Sequence, residues 1–158
     1  MMYLDAKIVG VPDDSGTHVW LVLMKAFRAL ERHAADSIEA AQIGLSDFAT
    51  LELLLHKGPQ PVNAIGRRIG LTSGSITTAV DRMEARGLVT RGLDPVDRRA
   101  RVVALTPRGK ALITKVFGAH KAAMDSTAGG LSKSERTTLV GLLKKLGLSA
   151  EQKHRKAS

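Results

Sequence analysis

The 158-residue chain has no cysteine at all. Disulfide scaffolding, thiol catalysis and thiol-based peroxide sensing are therefore excluded. Aromatic residues make up only 3% of the sequence against 44% hydrophobic residues overall, so the interior must be built from Leu, Ile, Val and Ala. Long apolar runs are missing too. The longest near the start, Val19 to Met24, is far below the roughly 18 residues that suggest a membrane span. Met1 to Asp14 lacks the basic-then-apolar order of an export signal, and the expectation is a cytoplasmic chain with no membrane partner. No repeat or low-complexity block is evident. The five histidines are scattered, with no metal-like pair and no Gly-rich phosphate loop beside them. No catalysis, metal or cofactor is expected.

What is abundant is positive charge. Lys and Arg number 24 against 15 Asp and Glu, giving a formal charge of +9. A balance that basic favours polyanions such as nucleic acid or an anionic membrane surface. Lys153, Arg155 and Lys156 contribute to it from a tail expected to be a frayed, solvated end.

Apolar spacing then divides the chain. Trp20, Leu23, Phe27, Leu30 and Ala34 recur every three or four residues, which predicts an amphipathic helix from about Thr17 to Ala41. Gly44 ends it. Ser46 is the expected cap of a second helix whose Leu51, Leu54 and Leu55 point inward, stopped by Gly58 and Pro59. Pro61 suits the first position of a short helix through about Ile69, and Gly70 supplies a turn. Thr72 then caps an element with Ile76, Val80 and Met83 on one stripe, which Gly87 terminates. Two short helices around a tight glycine turn make a helix-turn-helix candidate. "LVTRG" and "RVVAL" follow as strands of a hairpin with "LDPVDRRA" at its tip. Thr106 and Pro107 restart helix as far as about Ala128. After Gly129 and Gly130, Ser132 and Glu135 form a capping box for a last helix carrying Leu139, Leu142, Leu143 and Leu146.

"LTSGSITTAVDRMEARGLVTR" followed by "DPVDRRARVVALTPRG" resembles the signature region of the MarR family of winged-helix transcription regulators. The resemblance implies a mainly α fold with a small β-hairpin (α+β). It implies a winged helix-turn-helix over 45–106 and a helical dimerisation region over 16–44 and 107–150. Residues 1–15 are left as an N-terminal arm and 151–158 as a basic tail. The implied protein is a homodimer on double-stranded DNA, a ligand-responsive repressor reading a pseudo-palindromic operator. Its setting would be the nucleoid of a bacterium or archaeon.

Short side chains at the leading end of the recognition helix, Thr72, Ser73, Ser75, Thr77 and Thr78, allow close approach in a major groove about 12 Å wide. The same helix end offers free N–H groups to a phosphate. By resemblance Arg99 enters the minor groove with Asp97 holding its guanidinium, while Arg98 and Arg101 meet phosphates and Arg82 reaches the backbone or supports the wing. Asp97 as a simple turn residue, and Arg67 and Arg68 as a solvated helix face, are the plainer readings. Trp20, Met24, Phe48 and His56 are candidates to line a pocket for a small aromatic or anionic effector, with ordinary core packing as the alternative. Charge alone would also suit a nonspecific architectural DNA binder; the short polar recognition helix argues for sequence readout.

Overall fold

A computed structural model describes residues 10–93 and 101–157. The Asp97, Arg98 and Arg99 assignments lie outside them. The chain divides into two compact units, Met1–Ala123 and Met124–Ser158, and each is described by itself.

The first unit begins with α1, Gly16–Glu39, capped by Ser15, whose hydroxyl accepts the His18 N–H. Ile38 alone among its residues is fully buried. On the expected apolar stripe Trp20 is 59% exposed, Phe27 54%, and Leu30 is exposed as well. The periodicity is helical, as expected, and among the described residues of this unit that face stays open to solvent. The turn that follows is made by Gln42, in a left-handed conformation at φ 52°, rather than by Gly44. Gly44 instead takes the N-cap of α2, Leu45–Lys57, with no side-chain cap. Ser46, the expected cap, lies inside the first turn, where its carbonyl accepts the buried Thr50 hydroxyl.

Pro61 sits at the N-cap of α3, Val62–Ile69, one residue before its expected place. Gly70, at φ 73°, makes the left-handed turn that L side chains rarely adopt. Thr72 then caps α4, Ser73–Ala85, by accepting the Ser75 N–H. The two helices cross closely at Gly66, where a Cβ would stand 2.9 Å from the Ile76 side chain. Ile76, Val80 and Met83 are buried, as their spacing predicts.

Strands β1, Val89–Leu93, and β2, Arg101–Leu105, pair antiparallel, with Val89 opposite Leu105 and Arg91 opposite Val103. Gln60 adds a bridge the sequence did not suggest, exchanging both backbone hydrogen bonds with Val103. Helix α5, Pro107–Thr127, starts at once. The core joins Ile38, Leu51, Leu54, Ile65, Ile76, Val80, Met83, Leu88, Val103 and Ile113.

The second unit holds a 3-10 turn, Ala128–Gly130, and α6, Lys133–Ala157. Its capping box is as expected: Glu135 accepts the Ser132 N–H at 2.7 Å, and Ser132 accepts the Glu135 N–H at 3.3 Å. The hydrogen bonds from the Ser132 hydroxyl and backbone lower the Glu135 pKa. The expected frayed tail is instead helical through Ala157. Leu139, Leu142, Leu143 and Leu146 are all exposed.

Gly109 explains the end of the "LTPRG" stretch. A Cβ there would lie 1.9 Å from the Leu88 carbonyl oxygen, against backbone that cannot swing aside. Gly109→Ala is expected to destabilise the fold by roughly 3 kcal/mol. Gly118→Ala on the same helix meets nothing within 4 Å and should stabilise slightly through helix propensity. Thermal denaturation of the two variants checks the contrast. Equal melting temperatures would contradict it.

Candidate nucleic-acid interface

Helix α4 presents its first turn outward. Ser73, Gly74, Ser75, Thr77 and Thr78 are exposed, with Thr72 exposed at the cap. Their hydroxyls are already arranged. Thr77 donates to the Ser73 carbonyl at 2.8 Å, Thr78 to the Gly74 carbonyl at 3.1 Å, and Thr72 and Ser75 share a contact of 2.9 Å. Thr77 and Thr78 thus spend their protons on the helix, which leaves their oxygens free to accept on an exposed face. Base edges in a major groove supply matching partners, namely amino donors.

Beside this turn lies an open groove of about 490 Å³, lined by Pro61, Asn63, Ser73, Thr77 and Arg101 among others. Arg101, the first residue of β2, therefore shares a wall with the leading end of α4. The sequence-chosen hydroxyls and this arginine come together. Arg67 and Arg68 are exposed on α3.

Arg82 has a different partner from the ones considered for it. Its Nε donates to Asp47 Oδ2 at 3.0 Å and its Nη2 to Asp47 Oδ1, a bidentate pair that joins α4 to α2. Asp47 is 2% exposed and the Arg82 side chain 50%. The hydrogen bonds and charge of Asp47 hold the Arg82 pKa above its ordinary value. Arg86, at the end of α4, donates to the Gln42 carbonyl at 2.8 Å and steadies the turn before α2.

A second cluster was also missed. Arg91 of β1 reaches Glu84 and Asp81 of α4, the latter at 2.5 Å, and its backbone N–H donates to Glu84 at 3.0 Å. Partial burial works against the Arg91 charge, and the hydrogen bonds to Asp81 and Glu84 outweigh it, so its pKa lies above the ordinary arginine value. No periodicity links residues on either side of the Gly87 turn, so spacing alone does not disclose this cluster.

The four effector candidates are dispersed. Trp20 is exposed and Met24 half-buried. Phe48 is buried with its ring 4.5 Å from that of His120. His56 is exposed, 3.5 Å from Glu52 and edge-on to Phe117. None of the four lines the cavity of about 210 Å³ between α1 and α5, which Ser37, Ala41, Leu112, Lys115 and Val116 enclose. Next to it the Ser37 hydroxyl lies 2.7 Å from the Ala34 carbonyl and 2.8 Å from His120 Nδ1.

A helix-turn-helix whose second helix ends in a three-segment wing, with a polar leading turn and an arginine beside it, defines a winged-helix DNA-binding protein. The comparisons specify it further. A sequence model of the MarR family matches residues 41–100. The HTH-type transcriptional regulator MhqR of Bacillus subtilis is 38% identical over 138 residues, covering 87% of this chain and 95% of MhqR. The HTH-type transcriptional repressor NicR of Pseudomonas putida is 30% identical over 144 residues, 89% of each chain. Among solved structures, Bordetella bronchiseptica BpsR, whose DNA binding is described as regulated by 6-hydroxynicotinic acid, superposes with a TM-score of 0.72. It is 26% identical, over 85% of this chain and 94% of BpsR. The chain belongs to the MarR family, and it is a DNA-binding transcriptional regulator of the winged-helix type.

The Asp47–Arg82 pair predicts an order of stability. Arg82→Ala strands a carboxylate inside the protein and should cost about 3 kcal/mol. Asp47→Asn keeps the shape and leaves a guanidinium already half in water, so the loss should be roughly half as large. Urea denaturation of both variants measures it, and the reverse order would show that the buried carboxylate is not the penalty.

Proposed function

We propose that the chain is a ligand-responsive repressor that binds a pseudo-palindromic operator as a homodimer. The observation that carries sequence-specific readout is the groove in which Ser73 and Thr77 of α4 face Arg101 of the wing. In this reading α4 enters the major groove with Thr72, Ser75 and Thr78 alongside. Arg99 enters the adjacent minor groove with Asp97 orienting it, and Arg98 and Arg101 meet phosphates. Residues 45–106 act as the DNA-binding domain. Arg82 then serves as a brace through Asp47, with its exposed edge left for the DNA backbone.

Dimerisation through 16–44 and 107–150 is supported by what the single chain leaves uncovered. Trp20, Phe27 and Leu30 on α1 and Leu139, Leu142, Leu143 and Leu146 on α6 are more apolar surface than a monomer keeps in water. Light scattering at micromolar concentration should give a dimer.

The effector reading draws on relatives. NicR is a repressor by name, and BpsR responds to an aromatic acid. A small aromatic anion is the matching effector class here. Trp20, Met24, Phe48 and His56 are its candidate contacts, to be reached once the partner helices are in place.

Two measurements test DNA recognition. A duplex selected by the protein from a random-sequence pool should be bound with strong salt dependence. If a dimer neutralises about 6–10 phosphates, affinity falls roughly 10³- to 10⁵-fold between about 50 and 200 mM salt. Thr77→Glu should abolish preference for the selected duplex while the dimer stays folded, because a carboxylate would face the groove. A footprint equally strong on random DNA would favour the architectural alternative.

A further inference from the structure

The Arg91 cluster is odd as a stabilising device. The side chains of Arg91, Asp81 and Glu84 are 30%, 60% and 39% exposed, and ion pairs in that setting contribute about 0–1 kcal/mol. Yet the arrangement is elaborate. One guanidinium spans two carboxylates a helical turn apart, and the backbone N–H of the same residue binds Glu84. Three links thus run from a single strand residue to the second half of α4. Strand β1 is held to β2 in fixed register, with Arg91 opposite Val103 and Leu93 opposite Arg101. The position of Arg101 relative to α4 therefore depends on how β1 is fastened to that helix.

We propose that Arg91 is a positioning residue for DNA recognition. By bridging Asp81 and Glu84 to β1, it fixes Arg101 against Ser73 and Thr77. Only a planar fork does this, because guanidinium presents five donors in rigid geometry whereas ammonium is a compact point charge on a flexible stem. The inference rests on the DNA-binding reading above, since its effect is on how that face is assembled. Neutralising two acids on a DNA-facing helix is the competing role, and lysine would fulfil it.

The experiment is a double-mutant cycle read in affinity for a duplex selected by the wild-type protein from a random pool. In the wild type, Arg101→Ala should weaken binding about tenfold. In an Arg91→Lys background the same change should cost less than about twofold, because a misplaced Arg101 has little left to lose. Glu84→Gln, a surface change that keeps the fold, should reduce the Arg101 effect in the same way. Melting temperatures of the Arg91 and Glu84 variants should stay within a few degrees of wild type. An undiminished tenfold effect of Arg101→Ala in both backgrounds would overturn the positioning role. So would full wild-type affinity for Arg91→Lys. If Arg101→Ala changes nothing in the wild type, the DNA-facing reading of this groove fails first, and the Arg91 role with it.

Discussion

The meeting of Gly109 with the Leu88 carbonyl is the constraint on which the DNA-binding lobe turns. Four segments converge there. Just past the end of helix α4, Gly87 with a φ of 66° turns the chain toward β1. Thr106 donates its hydroxyl to the Gly87 carbonyl at 2.7 Å and accepts the Gly109 N–H at 3.0 Å. Its own N–H binds the Leu88 carbonyl at 3.1 Å. The end of the recognition helix, both ends of the hairpin and the first turn of α5 are thus tied within a few bonds of one another. With backbone in contact with backbone there is no flexible side chain to absorb displacement. The first turn of α5, the hairpin and the end of α4 therefore share one set of close contacts, and under the proposed reading a movement of α5 would bear on the other two.

Charge placement in the same lobe follows a related logic. Under the proposed reading α4 would face DNA, where free acids would repel phosphates, yet it contains Asp81 and Glu84 and packs on Asp47. Each is engaged by an arginine, Asp47 by Arg82 and the other two by Arg91. Their partners fasten α4 on two sides, to α2 and to β1. The first turn of α4 contains no acidic residue, so that end carries only N–H groups and hydroxyls, with Arg101 beside them, a setting that would suit a polyanion.

Much of this was legible from local pattern. Ile76, Val80 and Met83 declared their face by spacing, Thr72 declared its cap, and the Ser132–Glu135 box was visible as four residues. Each depends on neighbours within one turn. Where the structure departs, the deciding contact is distant. Ser46 has cap chemistry, yet the turn at Gln42, held by Arg86 from 44 residues away, starts α2 earlier and leaves Gly44 at the cap. From sequence Arg82 reads as a contact to the DNA backbone or a support for the wing, until α2 brings Asp47 to it across a separation of 35 residues. The Arg91 cluster spans a glycine turn that breaks any period. Trp20 and Phe27 were correctly placed on one helical face, but which surface that face meets is not written in a single chain's periodicity.

The same exposed faces bear on how specificity arises. One recognition helix reads only a few base pairs, and each wrong pair typically costs about 1–3 kcal/mol. A lone lobe would therefore discriminate weakly against the many competing sites of a genome. Under the dimeric reading, two α4 helices read two half-sites about 34–36 Å apart, and the penalties from both halves add. Spacing then becomes a second variable, independent of base contacts. The apolar faces of α1 and α6 would set it, and the Gly109 junction would carry it to the recognition helix. In that arrangement an effector need not touch the DNA-binding surface. A small change where the partner helices pack would be enough to move two rigid reading heads out of step with the helical repeat of DNA.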